Sequence, residues 1–147
     1  MPILATNKKA NFDYEILEKQ EAGIELKGHE VKSVKQGSIN LKGAFVSFYQ
    51  NQAWLNNAHI SKYKQAGNLK DYDPTRRRKL LLHRKQIKYL LGKSQEKGLT
   101  IIPLSVYTKD RLIKLEIGIG KGKKKYDKRE TIKKRDIERE IARKIKN

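Results

Sequence analysis

A mainly β domain with inserted helices and a basic C-terminal tail is what this 147-residue chain predicts. Three observations carry that expectation. Apolar residues alternate with polar ones at a period of two over several short stretches, the signature of half-buried strands. Only two stretches in the body of the chain suit helices. Beyond residue 120 the apolar content thins out and cationic charge takes over.

The elements follow in order. Phe12, Tyr14 and Ile16 alternate with Asp13 and Glu15 as one strand, and Ala22, Ile24 and Leu26 repeat the pattern after a short turn. "GHEVKSVKQG" (28–37) reads as a short helix built on Val31 and Val34 that leaves at Gly37. "AFVSFYQ" (44–50) is β-branched and aromatic, and Asn51–Gln52 turns it back into "AWL" (53–55), a hairpin. Lys62 to Lys79 is polar, holds Gly67 and Pro74, and reads as a loop. "HRKQIKYLLGKSQEKG" (83–98) is a helix with Ile87, Leu90 and Leu91 as its apolar stripe and Gly98 as its stop. Two long strands follow, the second placing Ile113, Leu115, Ile117 and Ile119 on one side and Lys114 and Glu116 on the other. Short strands with helices between them suit a small antiparallel β-barrel, closed or partly open, of the oligonucleotide-binding (OB-like) type. A mixed α+β sandwich is the alternative. Residues 1–120 form the body and 121–147 the tail.

Charge narrows the partner. The formal net charge is +19 with a mean hydropathy of −0.82, and so large an excess on a small domain calls for a polyanion. Nucleic acid leads, with an anionic membrane surface behind it. No apolar run approaches the roughly 20 residues that span a bilayer, and no signal-like stretch opens the sequence, so the expected location is cytoplasmic. There are no cysteines, which excludes disulfides and thiolate metal sites. His29, His59 and His83 lack metal-ligand spacing, and no carboxylates are set apart for acid–base work. "GIGKG" (118–122) resembles a phosphate-cradling loop but lacks its spacing. Its glycines read as a hinge between strand and tail. A catalyst is not expected, and no cofactor is implied.

"DPTRRRKLLLHRK" (73–85) groups Arg76, Arg77, Arg78 and Lys79 just ahead of a helix, where guanidinium groups can hold phosphates bidentately. Tyr63, Tyr72, Tyr89, Tyr107 and Tyr126 could stack on bases, but sequence assigns that role to none of them. The tail holds thirteen basic residues against five acids, a net +8, yet carries helix signals. Asp127 with Glu130 forms a capping-box pattern, and Ile137, Ile141 and Ile145 line one face. Burial of one Ile gains roughly 1.5–3 kcal/mol, while ordering each residue costs about 1–2. Such a tail is expected to be unfolded alone and helical against a neutralising RNA. Docking on the barrel through the isoleucines is the alternative.

Taken together, "NKKANFDYEI" with "EAG" (7–16, 21–23), "GHEVKS" (28–33), "DPTRRRKLLL" (73–82), "GLTIIPLSVY" (98–107) and "KLEIGIGKGKKKYDKR" (114–129) resemble, in order, the bacterial small protein B family of tmRNA-binding (SsrA-binding) proteins. The resemblance covers nearly the whole chain. It implies an OB-like barrel that binds the tRNA-like domain of tmRNA and carries it, charged with alanine, to stalled ribosomes together with elongation factor Tu and GTP. It implies that the tail enters the empty mRNA channel and folds as a helix at the 16S rRNA decoding centre.

Matched by motif, Glu21, Glu30, Lys32, Leu81 and Lys114 fall at the barrel's RNA-binding positions, joined by Arg76 and Arg78 of the arginine run. Gly122, Lys124, Lys125, Tyr126, Asp127, Lys128 and Arg129, with Ile137 and Ile141 further on, fall to the decoding-centre role. Two departures stand out: Tyr126 replaces the family's usual His, and Asn11–Phe12 replaces a basic-and-His pair. The competing reading is a ribosomal or general RNA-binding barrel with a nonspecific basic anchor. An RNA-modifying enzyme would need a cofactor or acid–base site that the sequence does not offer.

Overall fold

The computed structural model describes residues 2–67, 69–123 and 132–140. Strand β1 (Ile3–Thr6) leads into a short helix, α1 (Lys8–Asp13), whose Asn7 side chain accepts the Ala10 N–H at 3.3 Å. Strand β2 (Tyr14–Ile24) then runs unbroken, where sequence suggested two strands and a turn. Phe12 belongs to α1 rather than to a strand. Its alternation with Tyr14 and Ile16 is coincidental, because Asn7 caps the chain into a helical turn first.

Helix α2 (Gly28–Lys35) and its exit at Gly37, with φ +82°, fall where the sequence placed them. β3 (Ile39–Asn40) follows, then the hairpin β4 (Phe45–Tyr49) and β5 (Gln52–Asn56). Its turn sits on Gln50–Asn51, both at positive φ (50° and 60°) as a two-residue hairpin turn needs. The short β6 (His59–Ile60) pairs with β3 in a separate two-stranded sheet. Beyond the loop, β7 (Arg78–Leu81) is a strand the sequence reading missed: the arginine run enters a sheet before the helix. Helix α3 (Arg84–Ser94) ends earlier than Gly98, and Gln86 accepts the His83 N–H at 2.9 Å to close its first turn. The long hairpin β8 (Leu99–Lys109) and β9 (Leu112–Gly122) completes the body, and residues 132–140 are helical and exposed.

Seven strands form one antiparallel sheet in the order β1-β8-β9-β2-β7-β5-β4. Although β4 and β8 lie far apart in that order, they meet across the interior, so the sheet rolls into a barrel. The barrel is open, because β1 and β4 remain its edges. Its interior takes one face of each strand: Ala22, Ala53, Leu55, Leu80, Val106, Leu115, Ile117 and Ile119, plugged by Val34 of α2, Leu90 of α3 and Leu41 and Ile60. Each buried Leu or Ile removes roughly 1.5–3 kcal/mol of side chain from water.

The glycines of β9 correct the hinge reading. Gly118 and Gly120 are paired in the sheet, opposite Lys19 and Ile16, and both are buried. A Cβ on Gly118 would meet Leu104 Cδ1 at 2.8 Å, and one on Gly120 would meet Ile102 Cδ1 at 2.5 Å and Tyr14 Cβ at 3.1 Å. They are there so that Ala10, Ile102, Leu104, Tyr14 and Ile16 can pack as a second small core on the outside of the strand. The strand also overruns residue 120, since Gly122 pairs with Tyr14.

Candidate nucleic-acid interface

β7, β2 and β9 lie side by side, and their register fixes what they show outside the barrel. Gly23 of β2 stands between Lys114 of β9 and Leu81 of β7. Since Ala22, Leu80 and Leu115 point inward, Glu21, Leu81 and Lys114 are turned outward. They line one groove of about 540 Å³ together with Gln20, Gly23, Gln52, Lys79, His83 and Gln86. Leu81, a large aliphatic, is 51% exposed there. Gly23 makes this seat: a Cβ on it would come within 3.1 Å of Leu81 Cβ, so the leucine lies against bare backbone.

Glu21 is held on the rim of the groove. Tyr107 donates its hydroxyl to Glu21 Oε2, and Lys109 Nζ approaches Oε1 at 3.5 Å. The Tyr107 hydrogen bond, with the charges of Lys109 and Lys114 in support, lowers the Glu21 carboxyl below its ordinary value against a smaller opposing effect of desolvation. Tyr107 itself is raised, first by burial and then by its bond to Glu21. It is therefore a neutral donor at physiological pH, and as a buried bracket it is not free to stack on bases. The groove thus combines an apolar platform, two lysines (Lys79 and Lys114) and one fixed carboxylate. Such a surface can grip phosphates and still accept a ribose hydroxyl or a base N–H.

The structure gives a different use to Glu30, Arg76 and Arg78. Glu30 and Arg78 have no exposed surface. Arg78 donates from Nε (2.9 Å) and Nη2 (2.6 Å) to Glu30 Oε2, from Nη1 to the Ala58 carbonyl (2.7 Å) and from Nη2 to the Pro74 carbonyl (3.0 Å). Arg76 bonds the same carboxylate from Nε at 3.2 Å and from Nη2, and the Lys27 N–H reaches Oε1 at 2.9 Å. Tyr72 donates to the Ile60 carbonyl at 2.8 Å and accepts from Arg78 at 3.2 Å, which takes it out of the stacking candidates. Burial pushes the Glu30 carboxyl up, but the hydrogen bonds of Arg76, Lys27 and Arg78 outweigh it and bring it to about 2. Direct RNA contact by Glu30 and Arg78 is therefore corrected to an internal role: their hydrogen-bonding capacity is spent pinning α2 to the loop and to β7.

The remaining expected residues scatter. Lys32 is exposed on α2, with Nζ 5.7 Å from the Tyr63 ring, and does not line the groove. Tyr89 donates to Glu18 at 2.7–2.8 Å. Gly122 closes β9 with open space where a Cβ would stand. Ile137 is exposed in the 132–140 helix. Lys124, Lys125, Tyr126, Asp127, Lys128, Arg129 and Ile141 lie outside the described residues. Sequence reasoning missed Lys79 as a groove cation and Tyr107 as the bracket of Glu21. Lys79 was hidden because β7 went unrecognised, and Tyr107 because its partner is 86 residues away.

The profile of the family described as "SmpB protein" matches residues 4–147. The chain belongs to the SmpB family. It is 55% identical over 144 residues to the SsrA-binding protein of Sulfurihydrogenibium sp. (strain YO3AOP1), covering 98% of this chain and 94% of that one. The SsrA-binding protein of Ligilactobacillus salivarius (strain UCC118) is 56% identical over 144 residues, 98% of this chain and 92% of its own. Among solved structures, a chain described under "tmRNA-SmpB: a journey to the center of the bacterial ribosome" is similar with a TM-score of 0.69 and 44% identity, over 85% of this chain and 87% of that one. The SmpB resemblance drawn from those sequence motifs is thus confirmed over nearly the full length, as is the mainly antiparallel β fold.

Proposed function

We propose that this chain is an RNA-binding adaptor of trans-translation: it binds tmRNA through the barrel groove and brings it to ribosomes stalled without a stop codon. The observation that carries this reading is the convergence of Glu21, Leu81 and Lys114, far apart in sequence, in one cationic groove with an apolar floor. In its finer form, the groove takes the tRNA-like domain while residues 121–147 enter the empty mRNA channel and the 16S rRNA decoding centre. Elongation factor Tu with GTP accompanies the alanyl-tmRNA, and the complex works in the cytoplasm. The names of the relatives and the tmRNA–SmpB neighbour support the tmRNA and ribosome partnership.

A folded tRNA-like shape is read through phosphate, ribose and stacked bases rather than through groove edges, which suits a fixed carboxylate, lysines and an exposed leucine. The test is binding of the tRNA-like domain across a salt series. Lys114→Ala removes one groove cation and no core contact, so affinity should fall and the slope of log K against log salt should shrink by about 0.7–0.9. Equal affinity for unrelated RNAs of the same length would favour the nonspecific anchor instead. An unchanged slope and affinity would take Lys114 off the RNA face.

A further inference from the structure

Three consecutive arginines meet different fates at the entry to β7. Arg76 and Arg78 are both paired with the one Glu30 carboxylate. Arg77, just ahead of the strand, is exposed instead, and among the described residues no carboxylate is paired with it. Its guanidinium lies 4.2 Å from the centroid of Trp54 and 5.7 Å from that of Tyr49. Trp54 pairs with Ser47 on one side and Lys79 on the other, and Tyr49 pairs with Gln52. Lys79 and Gln52 also line the groove that holds Glu21, Leu81 and Lys114. Tyr49, on the edge strand, is 56% exposed. The Trp54 indole N–H is buried and has no acceptor among the described residues.

We propose that Tyr49, Trp54 and Arg77 form a stacking subsite for an unpaired base of the bound RNA, continuing the groove across β7 and β5. Trp54 backs the Arg77 guanidinium at 4.2 Å from its ring centroid. The outer face of Arg77 and the exposed Tyr49 ring then receive the base, while Lys79 stands beside them for its phosphate. Guanidinium planes and aromatic rings both stack on nucleobases, and such stacking tolerates any base identity. An RNA occupant follows from the uncompensated cation among aromatics, from the +19 charge of the chain and from continuity with the groove. The proposal rests on the tmRNA-binding reading above.

Trp54 is the only tryptophan, so its fluorescence reports this spot in the full-length protein. The probe is a transcript of the tRNA-like domain, with a single-stranded hexanucleotide as the minimal ligand. Both should change Trp54 emission saturably. Tyr49→Ala and Arg77→Ala should each weaken binding of the transcript by roughly 5- to 150-fold, the range for losing one stacked base. Arg77→Lys keeps the charge but removes the plane, so it should lose nearly as much as Arg77→Ala with the salt slope unchanged. Tyr49→Phe should retain binding. If Arg77→Lys and Tyr49→Ala bind as tightly as the parent while Lys114→Ala is weakened, the subsite is refuted and the groove stands. If those variants bind RNA normally but lose a protein partner, the shelf is a protein contact and the proposal falls. If the parent does not bind the transcript at all, the subsite and the tmRNA reading fall together.

Discussion

Glu30 sits with no exposed surface among two guanidinium groups, a tyrosine and a backbone N–H. A buried carboxylate is tolerable only while that cage is whole, so removing one partner leaves an unpaired charge in the interior. Glu30→Gln or Arg78→Ala should therefore cost about 3–5 kcal/mol in urea unfolding, far more than an exposed lysine substitution. The sign of the pH dependence follows from the carboxyl being held at about 2 against an ordinary 4.5. A folded value below the unfolded one means the ionised form stabilises the fold fully above pH 4.5, and this stabilisation is lost as pH falls toward 2. Denaturation midpoints should drop through that window, and the drop should be smaller in Glu30→Gln. The β9 glycines make a second residue-scale prediction. Gly118→Ala and Gly120→Ala crowd Leu104 and Ile102 and should each cost about 1–3 kcal/mol. Gly122→Ala has open space and should be nearly neutral. Equal, small effects at all three would restore the hinge reading over close packing.

At the level of elements, β9 was legible because its interior residues are Ile113, Leu115, Ile117 and Ile119 and its outer ones include Lys114 and Glu116. Strand β7 was not, because two of its four positions are chemically inverted. Arg78 points inward to Glu30 while Leu81 points outward, so a rule that puts apolar residues inside reads "RRRKLLL" as a charged lead-in to a helix. The partner that makes a buried arginine acceptable is 48 residues away and leaves no local signal. Of the groove, strand alternation placed Lys114 outward, and motif resemblance named Glu21, Leu81 and Lys114 without saying that Gly23 joins them. Which of the two adjacent leucines faces inward can be tested directly. Leu80→Ala empties a buried position and should cost about 2–5 kcal/mol. Leu81→Ala should leave stability nearly unchanged and weaken binding of the tRNA-like domain. Both quantities come from one urea titration and one binding isotherm per variant, and an unaltered isotherm for Leu81→Ala would remove the leucine from the RNA surface.

For the whole molecule, the question is whether barrel and tail do separable work, as the charge division suggests: +8 lies in residues 121–147 and the remaining +11 in the body. The cut belongs after Lys123, because the strand pairs through Gly122 and the Lys123 N–H still reaches the Asp13 carbonyl at 2.9 Å. Chain ending there should keep the groove and most affinity for the tRNA-like domain, yet fail to support tagging of stalled chains. A sharper variant keeps every charge. Ile137 is in the 132–140 helix and 57% exposed, so it does not hold the barrel together. Ile137→Pro removes a backbone donor and clashes with the preceding turn, a cost of about 3 kcal/mol in a segment with little core of its own. Ile137→Ala keeps the helix and deletes only the side chain, which separates loss of helix from loss of an apolar contact. Replacing Asp127, Lys128 and Arg129 together by Ala changes the tail charge by only one, and under the same proposal should be as damaging as the proline. Single-turnover transfer of alanine from charged tmRNA on stalled ribosomes should fall for Ile137→Pro and for the triple variant, with tmRNA binding unchanged. A tail acting only as a cationic anchor would tolerate both variants and weaken in proportion to lysines removed elsewhere. Transfer by Ile137→Pro at the parent rate would therefore exclude a helical tail as the working form.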